Sequence, residues 1–149
     1  MASPTKDFEE LLKFFDSRGV RALIVGAHAV AYHAKPRYTK DLDVLVEPTE
    51  ENARRVLEAL ADFGFGDLKL DIADFSTRGH IVQLGFPPNR IDLMTSIDGV
   101  EFSEAWAGRA EGTYGSTTVF FIGRRELIQN KKASARPQDL ADLSWLEKA

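Results

Sequence analysis

The stretch Lys40-Asp41-Leu42-Asp43-Val44-Leu45-Val46 admits few folds. It reads as a β-strand. In a strand, alternate side chains face opposite ways, so Asp41 and Asp43 share one face while Leu42, Val44 and Val46 share the other. Two carboxylates this close repel each other, and both lose solvation if their face is covered. A cation between them relieves both costs. Oxygen donors of this kind suit Mg²⁺ or Mn²⁺, which take a few carboxylates and leave the other positions to water and substrate phosphates. Upstream, Leu23-Ile24-Val25-Gly26-Ala27-His28 reads as a short apolar strand that ends in a glycine turn and feeds a helix. Small residues at such a turn let phosphates approach the N–H groups at the helix N-terminus. Alone, that glycine is an ordinary turn; the aspartate pair after it is what gives it weight.

With 149 residues the chain has room for one domain with a real core and not for two comfortable ones. The absence of cysteine excludes disulfides, thiolate metal sites and a cysteine nucleophile. The polar start Met1 to Lys6 does not read as a signal peptide, and no apolar run approaches the roughly 20 residues of a membrane span, so a cytoplasmic protein is expected. A net charge of −4 argues against a general nucleic-acid coat protein, although a local basic cluster could still hold a polyanion.

Around these two stretches the elements follow from periodicity. Lys6 to Arg18 spaces Phe8, Leu11, Leu12, Phe14 and Phe15 as a helix stopped by Gly19, and strand Arg21 to Val25 follows. A short helix over Ala27 to Ala34 is closed by Pro36. Thr49 is the expected N-cap of a helix whose stripe is Val56, Leu57, Leu60 and Phe63, ended by Gly64. Leu68, Leu70 and Ile72 alternate like a short strand, with a turn at Asp74 and Ser76. His80 to Gly85 and Arg90 to Met94 form a hairpin across a Phe86-Pro87-Pro88-Asn89 turn. Then come a helix from Phe102 to Arg109 with Trp106 inward, a strand from Thr117 to Ile122 and a helix from Arg124 to Ala133. A last helix from Gln138 to Glu147 has Pro137 at its start and Leu140, Leu143 and Leu146 inward.

Asp92 is a single acid inside an apolar strand. If its hairpin lies beside the Asp41 strand it is a third carboxylate at the same site; otherwise it faces solvent on a half-exposed sheet. The acids could also simply pair with Arg37, Arg90 or the lysines. His28, His33 and His80 are too scattered for a zinc site, and only His28, which opens the helix after Gly26, is a candidate nucleotide contact. Trp106 and Trp145 read as core. The basic set Arg124, Arg125, Lys131, Lys132 and Arg136 is either a solvated face or a surface for tRNA or another polyanion.

Taken together, Gly26-Ala27, a helix, Arg37-x-Thr39-x-Asp41-Leu42-Asp43 and a later Asp92 resemble the nucleotidyltransferase superfamily, with its polymerase beta-like fold. In particular they resemble small bacterial nucleotidyltransferase-like proteins related to the toxins of toxin–antitoxin systems. The tail Asn130-Lys131-Lys132-Ala133-x-x-Arg136-x-x-Asp139-x-x-Asp142 is similar to the C-terminal pattern of that group, so the likeness runs from Leu23 to about Leu146. It implies one α/β (α+β) domain over 1–149: a short mixed β-sheet flanked by helices, all three acids at one edge of it, the helices from about 124 packing on it. It implies transfer of a nucleoside monophosphate from an NTP to a hydroxyl of a tRNA, a protein or a small molecule such as an antibiotic, with release of pyrophosphate. Asp41, Asp43 and Asp92 would hold Mg²⁺ or Mn²⁺ and form the catalytic set, with Asp92 able to act as general base. Gly26, Ala27, His28, Arg37, Thr39, Lys131, Lys132 and Arg136 would meet the nucleotide. Lys131 and Lys132 lie 100° apart on a helix, so one of the two faces the site. Two departures favour an alternative, a non-catalytic binding or regulatory module such as a toxin–antitoxin partner. Alanine at 27 replaces the usual glycine or serine of the motif, and the helical domain of larger relatives is reduced to the final helices.

Overall fold

The computed structural model describes residues 5–36, 39–85 and 89–149. Arg37 and the Phe86-Pro87-Pro88 part of the expected turn lie outside the described residues. Among the described residues the order is α1 (Lys6–Ser17), β1 (Ala22–Val25), α2 (Gly26–His33), β2 (Leu42–Val46), α3 (Glu50–Phe63), α4 (Ile72–Ser76) and β3 (Ile81–Leu84). There follow β4 (Ile91–Met94), α5 (Phe102–Ala107), β5 (Ala110–Tyr114), β6 (Thr117–Phe121), α6 (Arg124–Ser134) and α7 (Pro137–Lys148). The strands form one mixed sheet in the order β3-β4-β2-β1-β6-β5. β1 runs antiparallel to β2, and both β1–β6 and β2–β4 are parallel. Two antiparallel hairpins, β3–β4 and β5–β6, complete it. This is the single α/β domain expected, with one adjustment. The aspartate-bearing strands β2 and β4 are inner strands, so the acids stand at one end of the sheet's interior and not at its edge.

Local chemistry accounts for most boundaries. Phe8, Leu11, Leu12 and Phe15 form the buried stripe of α1, and Gly19 follows its C-cap in the left-handed conformation. The Thr49 side chain accepts a hydrogen bond from the Asn52 N–H, capping α3, and Gly64 closes that helix at φ 104°. α1 packs on α3 and β6, α3 on α4, and α2 on β1 and β2, while α6 and α7 pack together and both reach α2. One buried polar residue ties the central hairpin to the helices. Asn52 accepts from the Arg21 N–H at 2.8 Å and donates to the carbonyls of Arg21 and Glu47 at 3.1 and 3.0 Å. It thereby satisfies the backbone where the chain enters β1 and leaves β2.

Three expectations are corrected, and one strand is added. The alternation of Leu68, Leu70 and Ile72 does not make a strand. Asp71 and Asp74 exchange backbone hydrogen bonds in a capping box that starts α4 instead. β5 pairs with β6 around a Gly115 turn at φ 61°, although Ala110-Glu111-Gly112-Thr113-Tyr114 carries little strand pattern. Leu140 is 55% exposed, because the inward stripe of α7 is Asp139, Asp142, Leu143 and Leu146. Leu143 and Leu146 are inward as expected, and beside them Asp139 and Asp142 fill the rest of the buried face. Trp145 is also exposed, with the Lys35 ammonium 3.8 Å from its ring centre, whereas Trp106 stacks on Phe102 and packs edge-on against Phe120. No helix among the described residues is long and apolar enough to cross a membrane.

Asn52→Ala is expected to cost about 3 kcal/mol in urea unfolding, since it removes three hydrogen bonds that tie α3 to one end of the β1–β2 pair. Loss of less than about 1 kcal/mol would show that water replaces those bonds freely.

Candidate active site

The site begins with strand register. β2 and β4 run parallel with Asp43 opposite Asp92, so the two side chains leave the sheet on the same face. Asp43 is also opposite Val25, the residue before Gly26, so the β1–α2 turn sits over its carboxylate. Gly26 has φ 66°, and a Cβ there would fall 2.3 Å from Asp43 Oδ2. Only glycine both adopts that turn and leaves room for the carboxylate. Asp41 lies just ahead of β2. The Thr39 hydroxyl donates to the Asp41 carbonyl at 3.0 Å and accepts from the Asp41 N–H at 3.4 Å, fixing the entry to the strand.

The three acids are not equivalent. Arg90, at the entry to β4, donates from Nε to Asp92 Oδ1 at 2.9 Å. Its Nη2 donates to Asp92 Oδ2 and to Asp41 Oδ2, each at 3.2 Å. Asp43 stands apart from this fork. Burial, and then the charges of Asp92 and Asp41, push its carboxyl up to about 6, only partly offset by Lys131 and Arg90. The site is therefore short of positive charge.

Helices α6 and α7 supply the facing wall. α6 ends at Ala135, in the left-handed conformation at φ 50°, and Arg136 caps α7. Across this sharp turn Lys131 Nζ donates to Asp139 Oδ1 at 3.1 Å and pairs with Asp142 Oδ2 at 3.2 Å. Asp139 also accepts from the Ser134 hydroxyl, the Arg136 N–H and Arg136 Nε. Burial opposes its charge, but the bonds from Arg136, Ser134 and Lys131 together outweigh burial and hold its carboxyl well below the usual range. A buried lysine is tolerated because two carboxylates share it. Between this wall and the sheet lies an open cleft of about 520 Å³ lined by Gly26, Ala27, Thr39, Asp41, Asp43 and Lys131, with Arg136 to Asp139 and Asp142.

Of the residues singled out from the sequence, Gly26, Ala27, Thr39, Asp41, Asp43, Lys131 and Arg136 thus share one cleft, and Asp92 adjoins it through Asp43. Lys132 is exposed and does not line it. The His28 ring packs edge-on against Phe8 and Tyr114, and burial lowers its pKa. Arg37 lies outside the described residues. Gln138, Asp139 and Asp142 join the lining without a role read from the sequence, where Asp139-x-x-Asp142 entered only as part of the tail's resemblance. Among the described residues no three His, Cys, Asp or Glu side chains form a ready-made metal cage. The donor chemistry nonetheless fits a divalent cation: oxygen ligands alone, in charge excess, around a turn that excludes a Cβ.

Because the folded-state pKa of Asp43 lies above its ordinary 3.8, the folded protein holds the extra proton between roughly pH 4 and 6. The stability contribution is present below pH 4 and is lost as pH rises through 6. In EDTA at pH 7.5, Asp43→Asn is expected to be more stable than wild type by on the order of 2 kcal/mol, with the gap closing below pH 4. Equal melting temperatures at pH 7.5 would refute the charge excess.

Neither protein-family models nor curated protein sequences match this chain. Solved structures do. One is a candidate nucleotidyltransferase of Thermotoga maritima, at 16% identity and TM-score 0.62, covering 95% of this chain and 91% of that one. Another is the lincosamide antibiotic adenylyltransferase LnuA with lincomycin bound, at 14% identity and TM-score 0.62, covering 98% of both chains. At such identities the likeness is one of fold, and that fold is the nucleotidyltransferase fold.

Proposed function

We propose that this protein is a metal-dependent nucleotidyltransferase that moves a nucleoside monophosphate from an NTP to a hydroxyl and releases pyrophosphate. The observation that carries the reading is the register of Asp43 with Asp92 beneath the Gly26 turn. Asp41, Asp43 and Asp92 are the residues to hold Mg²⁺ or Mn²⁺. Such ions, when bound, neutralise the triphosphate and lower the pKa of the acceptor hydroxyl.

The chain's own groups then divide the work. The first N–H groups of α2, at Gly26 and Ala27, have no side-chain cap and offer donors to the phosphates, even without a serine hydroxyl at 27. Lys131 and Arg136 face the same cleft and meet the negative charge that develops on departing pyrophosphate. Asp139 and Asp142 position Lys131. The acceptor oxygen attacks the α-phosphorus, the bond to the β-phosphate oxygen breaks, and Asp92 takes the acceptor's proton. Thr39 supports the Asp41 entry through its hydroxyl. His28, with its ring among aromatics, and the exposed Lys132 have no part in this scheme. The activity named for LnuA supports a small-molecule hydroxyl as the acceptor.

The Arg90 bridge favours a different reading, a structural domain in which the acids serve as ion pairs. Calorimetric titration of each NTP, with and without Mg²⁺, separates the two. Magnesium-dependent binding that weakens at least about tenfold in Asp41→Ala/Asp43→Ala, with pyrophosphate released in the presence of a hydroxyl acceptor, is the expected result. Failure of every NTP to bind would overturn the enzymatic reading.

A further inference from the structure

Arg90 presents a contradiction within that reading. Its backbone carbonyl accepts from the Leu42 N–H at 3.0 Å, tying the entry of β4 to β2. Its side chain, however, is 33% exposed at the end of a long stem. Two positions before Asp92, it shares that residue's face by strand alternation. Its guanidinium engages both Asp92 oxygens and Asp41 Oδ2, two of the three carboxylates that would hold a divalent ion. An ion brought to those oxygens meets a fixed positive charge in contact with them. The ion pairs of Lys131 are with Asp139 and Asp142, not with Asp41 or Asp92.

We propose that Arg90 is a built-in cation that bridges Asp41 and Asp92 in the metal-free protein and is displaced from them when the divalent ion enters. Metal binding is then an exchange of a tethered monovalent cation for a free divalent one. The tether keeps Asp41 and Asp92 compensated while the site is empty and makes the ion displace a charge-assisted fork before it binds. Arginine suits this task because it stays charged at every working pH while its long, partly exposed stem lets the head turn out to solvent. The inference rests on the carboxylate site of the proposed enzyme, but concerns how that site is occupied.

The test uses the full chain without nucleotide. Mn²⁺ and Mg²⁺ are titrated calorimetrically into wild type, Arg90→Gln, Arg90→Lys and Arg136→Gln. In parallel, the hydrogen-bonded Arg90 Nε–H is followed by ¹⁵N NMR, its resonance assigned by its loss in Arg90→Lys. Arg90→Gln is expected to bind Mn²⁺ about tenfold tighter than wild type, on the scale of one charge-assisted bond, with Arg90→Lys between the two. Arg136→Gln removes an equal charge that touches neither Asp41 nor Asp92, and is expected to change affinity by less than about threefold. Saturation with Mg²⁺ moves the Arg90 Nε–H to a fast-exchanging, solvent-exposed position. Equal or weaker binding by Arg90→Gln, an equal gain in Arg136→Gln, or an Nε–H unmoved at saturation overturns the exchange and leaves the enzymatic reading standing. Absence of ion binding in every variant overturns the exchange as well, while the NTP titration above decides the enzymatic reading.

Discussion

The burial of one carboxylate against a bare backbone organises this molecule. Asp43 is driven into the sheet by the apolar residues on either side of it, Leu42 and Val44, both fully buried. Its own face is then roofed by the β1–α2 turn, where any side chain at position 26 would collide with it. Three requirements converge there: the strand must pair with β1, the turn must adopt positive φ, and the charge must be met by something other than the polypeptide beside it. The first two are satisfied by hydrogen bonds and by glycine. The third is left open, as the elevated carboxyl of Asp43 records. A protein that only needed a stable sheet would gain from an apolar residue at that position.

The opposite wall spends its ionic groups differently. Lys131, Asp139 and Asp142 are all buried; Lys131 pairs with both carboxylates, and hydroxyl, backbone N–H and guanidinium donors add to the bonding of Asp139. This network sets the rotation of α7, sending Leu140 to solvent, and it fastens that helix to α6 through a turn that no glycine eases. The cleft therefore has one wall that is electrostatically satisfied and one that is not. A polyanion with its own cation complements that asymmetry: phosphates toward Lys131, Arg136 and the α2 N-terminus, positive charge toward the aspartates.

Much of this is legible in the sequence. Strand alternation placed Asp43 opposite its apolar neighbours, the strand-glycine-helix pattern located the turn, and Arg90 to Met94 was recognisable as the return strand of a hairpin. Residue spacing could not say which strand that hairpin would join; parallel pairing between β2 and β4 is a tertiary fact, and it alone brings Asp92 to Asp43. Elements failed where polar chemistry overrode pattern. The reciprocal bonds of Asp71 and Asp74 converted an alternating stretch into a helix start. In α7, leucine spacing placed Leu143 and Leu146 correctly and Leu140 wrongly, because buried Asp139 and Asp142 widen the inward stripe on the side away from Leu140. β5 escaped because Gly112 and Glu111 dilute its strand signal, and its pairing comes from the turn at Gly115. Arg90 was visible as a possible ion-pair partner, but its two-pronged grip on separate strands depends on that same β2–β4 register.

That register has a consequence for the order in which the protein comes together. Gly26 and Asp43 belong to one antiparallel pair, β1 and β2, close in sequence and able to form early. Arg90 and Asp41 are 49 positions apart, and α3, α4 and β3 must be accommodated before β4 can lie beside β2. A β1–α2–β2 unit formed first would hold Asp41 and Asp43 without the arginine that bridges Asp41, a half-built site. Arrival of β4 brings the third acid and the arginine together, on one short strand entry. The segment that completes the negative cluster is also the segment that makes it bearable, so the chain never holds three carboxylates together without a counter-charge beside them.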